Sequence, residues 1–245
     1  MAPSSLVVLV TGSNAGVGFE LVRLLAQQGY TVYLSGRNDE YVRKAVKTLK
    51  EDHGLDVKSV LLDVTRDDSV SRAKETIERA EGRLDVLVNN AGLSPSEFTV
   101  EGLSEIFDAN YFGVIRVTTA FLPLIRKAKR GNILNVSSGS GSHYNQSRFP
   151  ERYPPQRAAY YGSKAALNAY TISLAKELKN NGIRVNSITP GWMSTKMSHF
   201  TGDRSAAEGA EVLLPWVTLN DDDGRTGVFA GYSNEEGKLV EEIPW

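Results

Sequence analysis

The chain has 245 residues, 41% apolar and 23% charged, with 28 basic against 29 acidic side chains and a net charge of −1. That composition describes an ordinary globular protein and argues against wholesale disorder, a nucleic-acid footprint or an anionic-membrane footprint. The absence of cysteine excludes disulfides and thiol chemistry, and the three scattered histidines, His53, His143 and His199, lack metal-ligand spacing, so no metal site is expected.

The first apolar run, Leu6–Val10, is too short for a membrane span or a signal-peptide core, which leads us to expect a soluble, cytoplasmic protein. Leu6–Thr11, Thr31–Ser35, Val57–Leu62, Leu84–Asn89, Asn132–Ser137, Arg184–Thr189 and Gly227–Gly231 read as strands. Their unbroken Val and Leu content suits strands covered on both faces. Between them, Val17–Gln28, Glu40–His53, Ser69–Glu81, Glu101–Lys127, Ala158–Lys179 and Ala206–Val217 carry helical periodicity. Repeated strand–helix units predict one α/β domain over 1–245, a Rossmann-type doubly wound parallel sheet of about seven strands with helices on both faces.

The first strand-to-helix turn reads Thr11-Gly12-Ser13-Asn14-Ala15-Gly16-Val17-Gly18. Gly12 permits a tight turn, Gly16 lets the backbone approach a pyrophosphate, and Gly18 lets helix and strand pack closely. Free N–H groups at the helix start then face phosphates. At the end of the second strand, Leu34-Ser35-Gly36-Arg37-Asn38 contains no carboxylate before Asp39. An acid there would hold the adenosine ribose hydroxyls and repel a 2′-phosphate, whereas the Arg37 fork suits that phosphate. Tyr160 and Lys164 are four apart on a predicted helix, so they share a face, and an ammonium beside a phenol lowers its pKa. Tyr161 lies about 100° away around that helix. Tyr144 and Tyr153 also have an arginine four residues on, but Pro154 and Pro155 break one pairing and no helix is predicted for the other.

TGxxxGxG at Thr11–Gly18, Asn89-Asn90-Ala91-Gly92, Asn110, and Tyr160-Tyr161-Gly162-Ser163-Lys164 together resemble the short-chain dehydrogenase/reductase family, with features of its carbonyl-reductase branch. The resemblance implies an NADP(H)-dependent oxidoreductase that reduces a ketone or aldehyde. Tyr160 would be the general acid, Ser138 the donor to the substrate oxygen, Lys164 the holder of the nicotinamide ribose, and Asn110 the holder of a water beside Lys164. Gly12, Ser13, Asn14, Gly16, Val17, Gly18, Arg37, Asp63, Val64, Asn90, Ala91, Gly92, Tyr160, Lys164, Pro190, Gly191, Met193 and Thr195 would contact the cofactor. Ala15 stands where many NADPH-binding members carry a cation. Asp63 is also readable as a helix cap and Asn110 as a buried, satisfied amide. Only one of Ser137 and Ser138 can face the substrate, because side chains alternate along a strand.

The stretch 142–157, rich in arginine, proline and aromatic residues, reads as an insertion near the substrate mouth, with a carboxylated substrate as one option. Residues 196–209 read as a lid. Oxidation of an alcohol by the same site, and an NADP-sensing interaction protein without turnover, are the alternative functions. The expected partner is a small carbonyl or alcohol, with no nucleic acid and no membrane, the chain acting as a monomer or homodimer.

Overall fold

A computed structural model describes residues 5–94 and 99–245. Six parallel strands are β1 (Val7–Val10), β2 (Thr31–Gly36), β3 (Lys58–Leu61), β4 (Val86–Asn89), β5 (Asn132–Val136) and β6 (Arg184–Thr189). After a two-residue strand β7 (Met193–Ser194) and its partner β8 (Arg204–Ser205) come β9 (Phe229–Ser233) and β10 (Lys238–Val240). The main sheet runs β10-β9-β6-β5-β4-β1-β2-β3, parallel except for the antiparallel β10. It has eight strands where the periodicity predicts about seven. The extra strand is three residues long, solvent-exposed and begins with Lys238, so it carries no apolar signal.

Helices cover both faces. On one side α1 (Gly16–Gln27), α2 (Asp39–His53) and α8 (Ala206–Val217) bury Leu21, Leu25, Leu49, Leu213 and Trp216 against Val8, Val10 and Val32. On the other, α3 (Asp67–Glu81), α5 (Gly113–Ile125) and α7 (Ala158–Leu178) bury Ile77, Val117, Phe121, Leu174 and Leu178 against Leu9, Leu87 and Ile133. The strands are buried on both faces because each alternate side chain meets one of these layers.

Two helical features depart from expectation. The stretch predicted as one helix over 101–127 is α4 (Val100–Phe107), a π turn over Asp108–Phe112, and α5. Such an insertion of an extra residue per turn is common near functional sites, and this one carries Asn110. A short α6 (His143–Arg148) forms where no helix is predicted. Ser142 caps it by accepting from Asn145 N–H at 3.1 Å, and Arg148 stacks 6.0 Å from the Tyr144 ring.

The β7–β8 ladder pairs Met193 with Arg204 and Ser194 with Ser205, closing residues 195–203 into a loop. Gly202 makes that closure possible, since a Cβ there would lie 2.0 Å from the Met193 carbonyl carbon.

Candidate active site

The sheet order reverses between β1 and β4, and a crevice of about 360 Å³ opens at the carboxyl ends of the strands there. This is where open α/β sheets bind ligands. Gly12, Asn14, Gly16, Val17, Gly18, Arg37, Asp63, Val64, Asn90, Ala91, Gly92, Pro190, Gly191, Met193 and Thr195 line it, together with Ser138, Tyr160 and Lys164. Ser13 does not: its buried hydroxyl donates to Val10 O at 2.7 Å and accepts from Ser35 N–H at 2.9 Å, tying the loop to β2.

The glycine turn is shaped from beneath. Gly12 has φ of 60°, and a Cβ on it would meet Ala91 Cα at 2.7 Å. Asn90 donates its side-chain amide to Thr11 O at 2.8 Å and Gly12 O at 3.1 Å, while the Thr11 hydroxyl accepts from Asn90 and Ala91 N–H. The Asn-Asn-Ala-Gly motif is thus the brace of the loop as well as a crevice wall. No side chain caps α1 and no acid occupies its first turn. Its first N–H groups therefore keep their hydrogen-bonding capacity and the helix dipole faces the crevice, which suits a pyrophosphate.

At the β2 end of the crevice, Gly36 admits no side chain without displacing Asn14, because a Cβ would stand 2.5 Å from Asn14 Oδ1. Arg37 beside it is exposed. Asp39, the nearest carboxylate in sequence, is engaged by Arg43 at 2.6 Å. One oxygen of Asp63 accepts from Thr65 N–H at 3.0 Å and from the Thr65 hydroxyl at 2.7 Å, forming a local turn, and the cap position of α3 is Arg66. Asp63 is thus not the helix cap, and its second oxygen has no partner among the described residues.

At the other end, Ser137 turns inward, its hydroxyl donating to Asn168 Oδ1 at 2.7 Å. Ser138 faces the crevice and shares a 2.8 Å hydrogen bond with the Ser140 hydroxyl. Lys164 is only 5% exposed, and its ammonium donates to Val136 O at 2.8 Å and lies 5.7 Å from the Tyr160 ring. Burial lowers its pKa to about 8. The Tyr160 phenol behaves opposite to expectation. Burial pushes it up to about 12, while the Ser138 hydroxyl and the Arg157 charge pull less strongly downward. Loss of hydration of the phenolate outweighs both of these pulls. Tyr161 points elsewhere and packs edge-on against Tyr153, 5.5 Å between ring centres.

Asn110 is fully buried behind the wall. Its Oδ1 accepts from Leu93 N–H at 2.7 Å, and its Nδ2 donates to Leu93 O at 3.0 Å and Ser163 Oγ at 3.1 Å. It fixes the Gly92–Leu93 turn against α7 and does not line the crevice. The 142–157 segment does not line it either. It is anchored through Ser142 to Pro244 O, Arg152 to Asn234 O at 3.0 Å, and Tyr153 to Glu235.

Sequence reasoning missed Leu93, Trp192, Lys196 and Met197 as wall residues, and a polar network behind the catalytic end. Asn89 donates to Asn135 at 2.9 Å, Asn135 to Thr171 at 2.9 Å, and Asn168 accepts from both Ser137 and Ser187. These bonds lock β4, β5, β6 and α7 together. Asparagines inside otherwise apolar strands were the available signal. Among the described residues, no three His, Asp or Glu side chains gather as metal ligands, and no helix is long and apolar enough to cross a membrane.

Fold and crevice together define a dinucleotide-binding α/β protein with an oxidoreductase's side chains at one end. Residues 6–206 match the short chain dehydrogenase family, and the chain belongs to it. It is 31% identical over 244 residues to the short-chain dehydrogenase anuI of Penicillium roqueforti, with 96% of each chain covered. Salutaridine reductase from Papaver somniferum superposes with a TM-score of 0.81 at 28% identity, over 91% of this chain and 99% of that one. The NADPH-bound carbonyl reductase from chicken fatty liver gives 0.82 at 27% identity, over 98% and 99%.

Proposed function

We propose that this oxidoreductase is an NADPH-dependent reductase of a ketone or aldehyde, with Tyr160 as general acid. One observation carries the reading: Tyr160, Lys164 and Ser138 share a single crevice with the uncapped start of α1 and with Arg37. The relatives reported above support it, one of them being a carbonyl reductase with NADPH bound. The α1 N–H groups, Asn14 and Arg37 would hold the phosphates, Asp63 and Val64 the adenine, Lys164 the nicotinamide ribose, and Met193 and Thr195 the carboxamide side. When bound, the cofactor supplies a hydride to the carbonyl carbon.

The protein's part is to receive the charge that develops on oxygen. Ser138 donates a hydrogen bond to the carbonyl oxygen, and the Ser140 hydroxyl beside it can donate in turn, leaving the Ser138 proton for the substrate. Tyr160 then transfers its phenolic proton to that oxygen, and the alcohol forms. A phenol held near pKa 12 is fully protonated at neutral pH, which is the form an acid needs. Asn110 positions the Leu93 wall and α7, and through them the tyrosine.

NADPH oxidation across a panel of ketones and aldehydes tests the reading. Turnover is expected, and Tyr160→Phe should lower it by roughly 10²–10⁴-fold, the usual size of a general-acid contribution, with NADPH binding retained. Tight NADPH binding without turnover on any carbonyl would favour a sensor instead.

A further inference from the structure

Arg157 ends the 142–157 segment and immediately precedes α7, three residues before Tyr160. Its guanidinium carbon stands 5.0 Å from the Trp192 ring centre, and among the described residues no carboxylate pairs with it. Trp192 lines the crevice and is held from three directions. Its backbone N–H donates to Asn234 Oδ1 at 3.0 Å, its indole N–H donates to Thr201 O at 3.1 Å, and Arg157 covers a ring face. The other arginines of the segment are turned elsewhere. Arg148 stacks on Tyr144 and Phe149, and Arg152 stacks on Phe149 and donates to Asn234 O. The segment therefore meets the crevice wall through one guanidinium.

We infer that Arg157 is a specificity-determining residue for the reaction: its guanidinium clamps Trp192 as a rigid wall at the substrate end. The inference rests on the reading of this crevice as a carbonyl-reductase site. A guanidinium stacked on an indole loses little freedom and keeps its charge at every accessible pH.

Arg157→Gln removes the charged, planar stack on Trp192, and Arg157→Lys removes the planarity alone. With the full chain, both should raise KM for bulky aromatic ketones by about threefold more than for small aldehydes, with kcat on small aldehydes and NADPH affinity within about twofold of wild type. Equal changes for the two substrate classes, or none, overturn the inference. Indole fluorescence read against Trp192→Phe reports the same clamp without turnover: the Trp192 emission should change in Arg157→Gln, and an unchanged emission overturns the inference. If no carbonyl is turned over, the reading of the crevice fails, and this fluorescence still decides whether Arg157 holds Trp192.

Discussion

Arg37→Ala isolates the cofactor preference. Arg37 sits at the end of β2 with its side chain in solvent, beside Gly36, where Asn14 leaves no room for a carboxylate. Asp39 is already engaged by Arg43, so removing Arg37 strands no buried partner and should leave the fold untouched. A hydrogen bond to a charged group contributes about 1.5–3 kcal/mol, and solvent exposure puts Arg37 at the low end of that range. NADPH should therefore bind about tenfold more weakly, while NADH, which lacks the 2′-phosphate, should change by less than about twofold. Calorimetric titration of both cofactors into wild type and variant measures the ratio directly. The loss should shrink as salt rises, because screening weakens an exposed ion pair. Equal losses for the two cofactors, or none for NADPH, would refute the assignment of Arg37 to the phosphate.

Lys164 gives a pH-dependent prediction. Its folded-state pKa, about 8, lies below the ordinary lysine value, so between pH 8 and about 10 the unfolded chain binds more protons than the folded one. Stability should rise with pH across that window by this contribution, and the difference between wild type and Lys164→Met in denaturant titrations isolates it from the tyrosines; a flat difference would refute the shift. Asn110→Ala should leave Leu93 N–H and O and the Ser163 hydroxyl short of partners, at about 1–3 kcal/mol per buried group. Because Leu93 is half-buried and Ser163 keeps its bond to Tyr160 O, the loss sums to about 2–3 kcal/mol, which for a chain of this size lowers Tm by roughly 4–12 °C, measurable by calorimetry, and an unchanged Tm would show that the amide bears no load there.

The glycine turn, the Tyr-Lys pair and the serine after β5 were legible because each needs particular residue types at particular spacings next to an apolar strand. Strand alternation leaves only one of Ser137 and Ser138 facing the site, and the family resemblance chose Ser138. Other features follow from distant contacts and leave little local trace. Trp192 belongs to the site because Asn234 and Arg157, far away in sequence, hold it there. The raised Tyr160 pKa was missed because spacing reveals the neighbouring cation but not the depth of burial. The π turn was missed since Asp108–Phe112 has ordinary helical composition.

The two-residue ladder between β7 and β8 separates what holds the crevice from what decorates it. Because Met193 and Ser194 are tied directly to Arg204 and Ser205, the path from β6 to α8 is complete without the intervening nine residues. Met193 also abuts Gly209 of α8, where a Cβ would fall 2.5 Å from its sulfur. The tip that carries Met197 and the 69%-exposed Phe200 hangs outside this closed joint. The exposed side chains of that tip can be exchanged while β7, β8 and α8 keep their places, which makes it the natural place to retailor what the protein accepts.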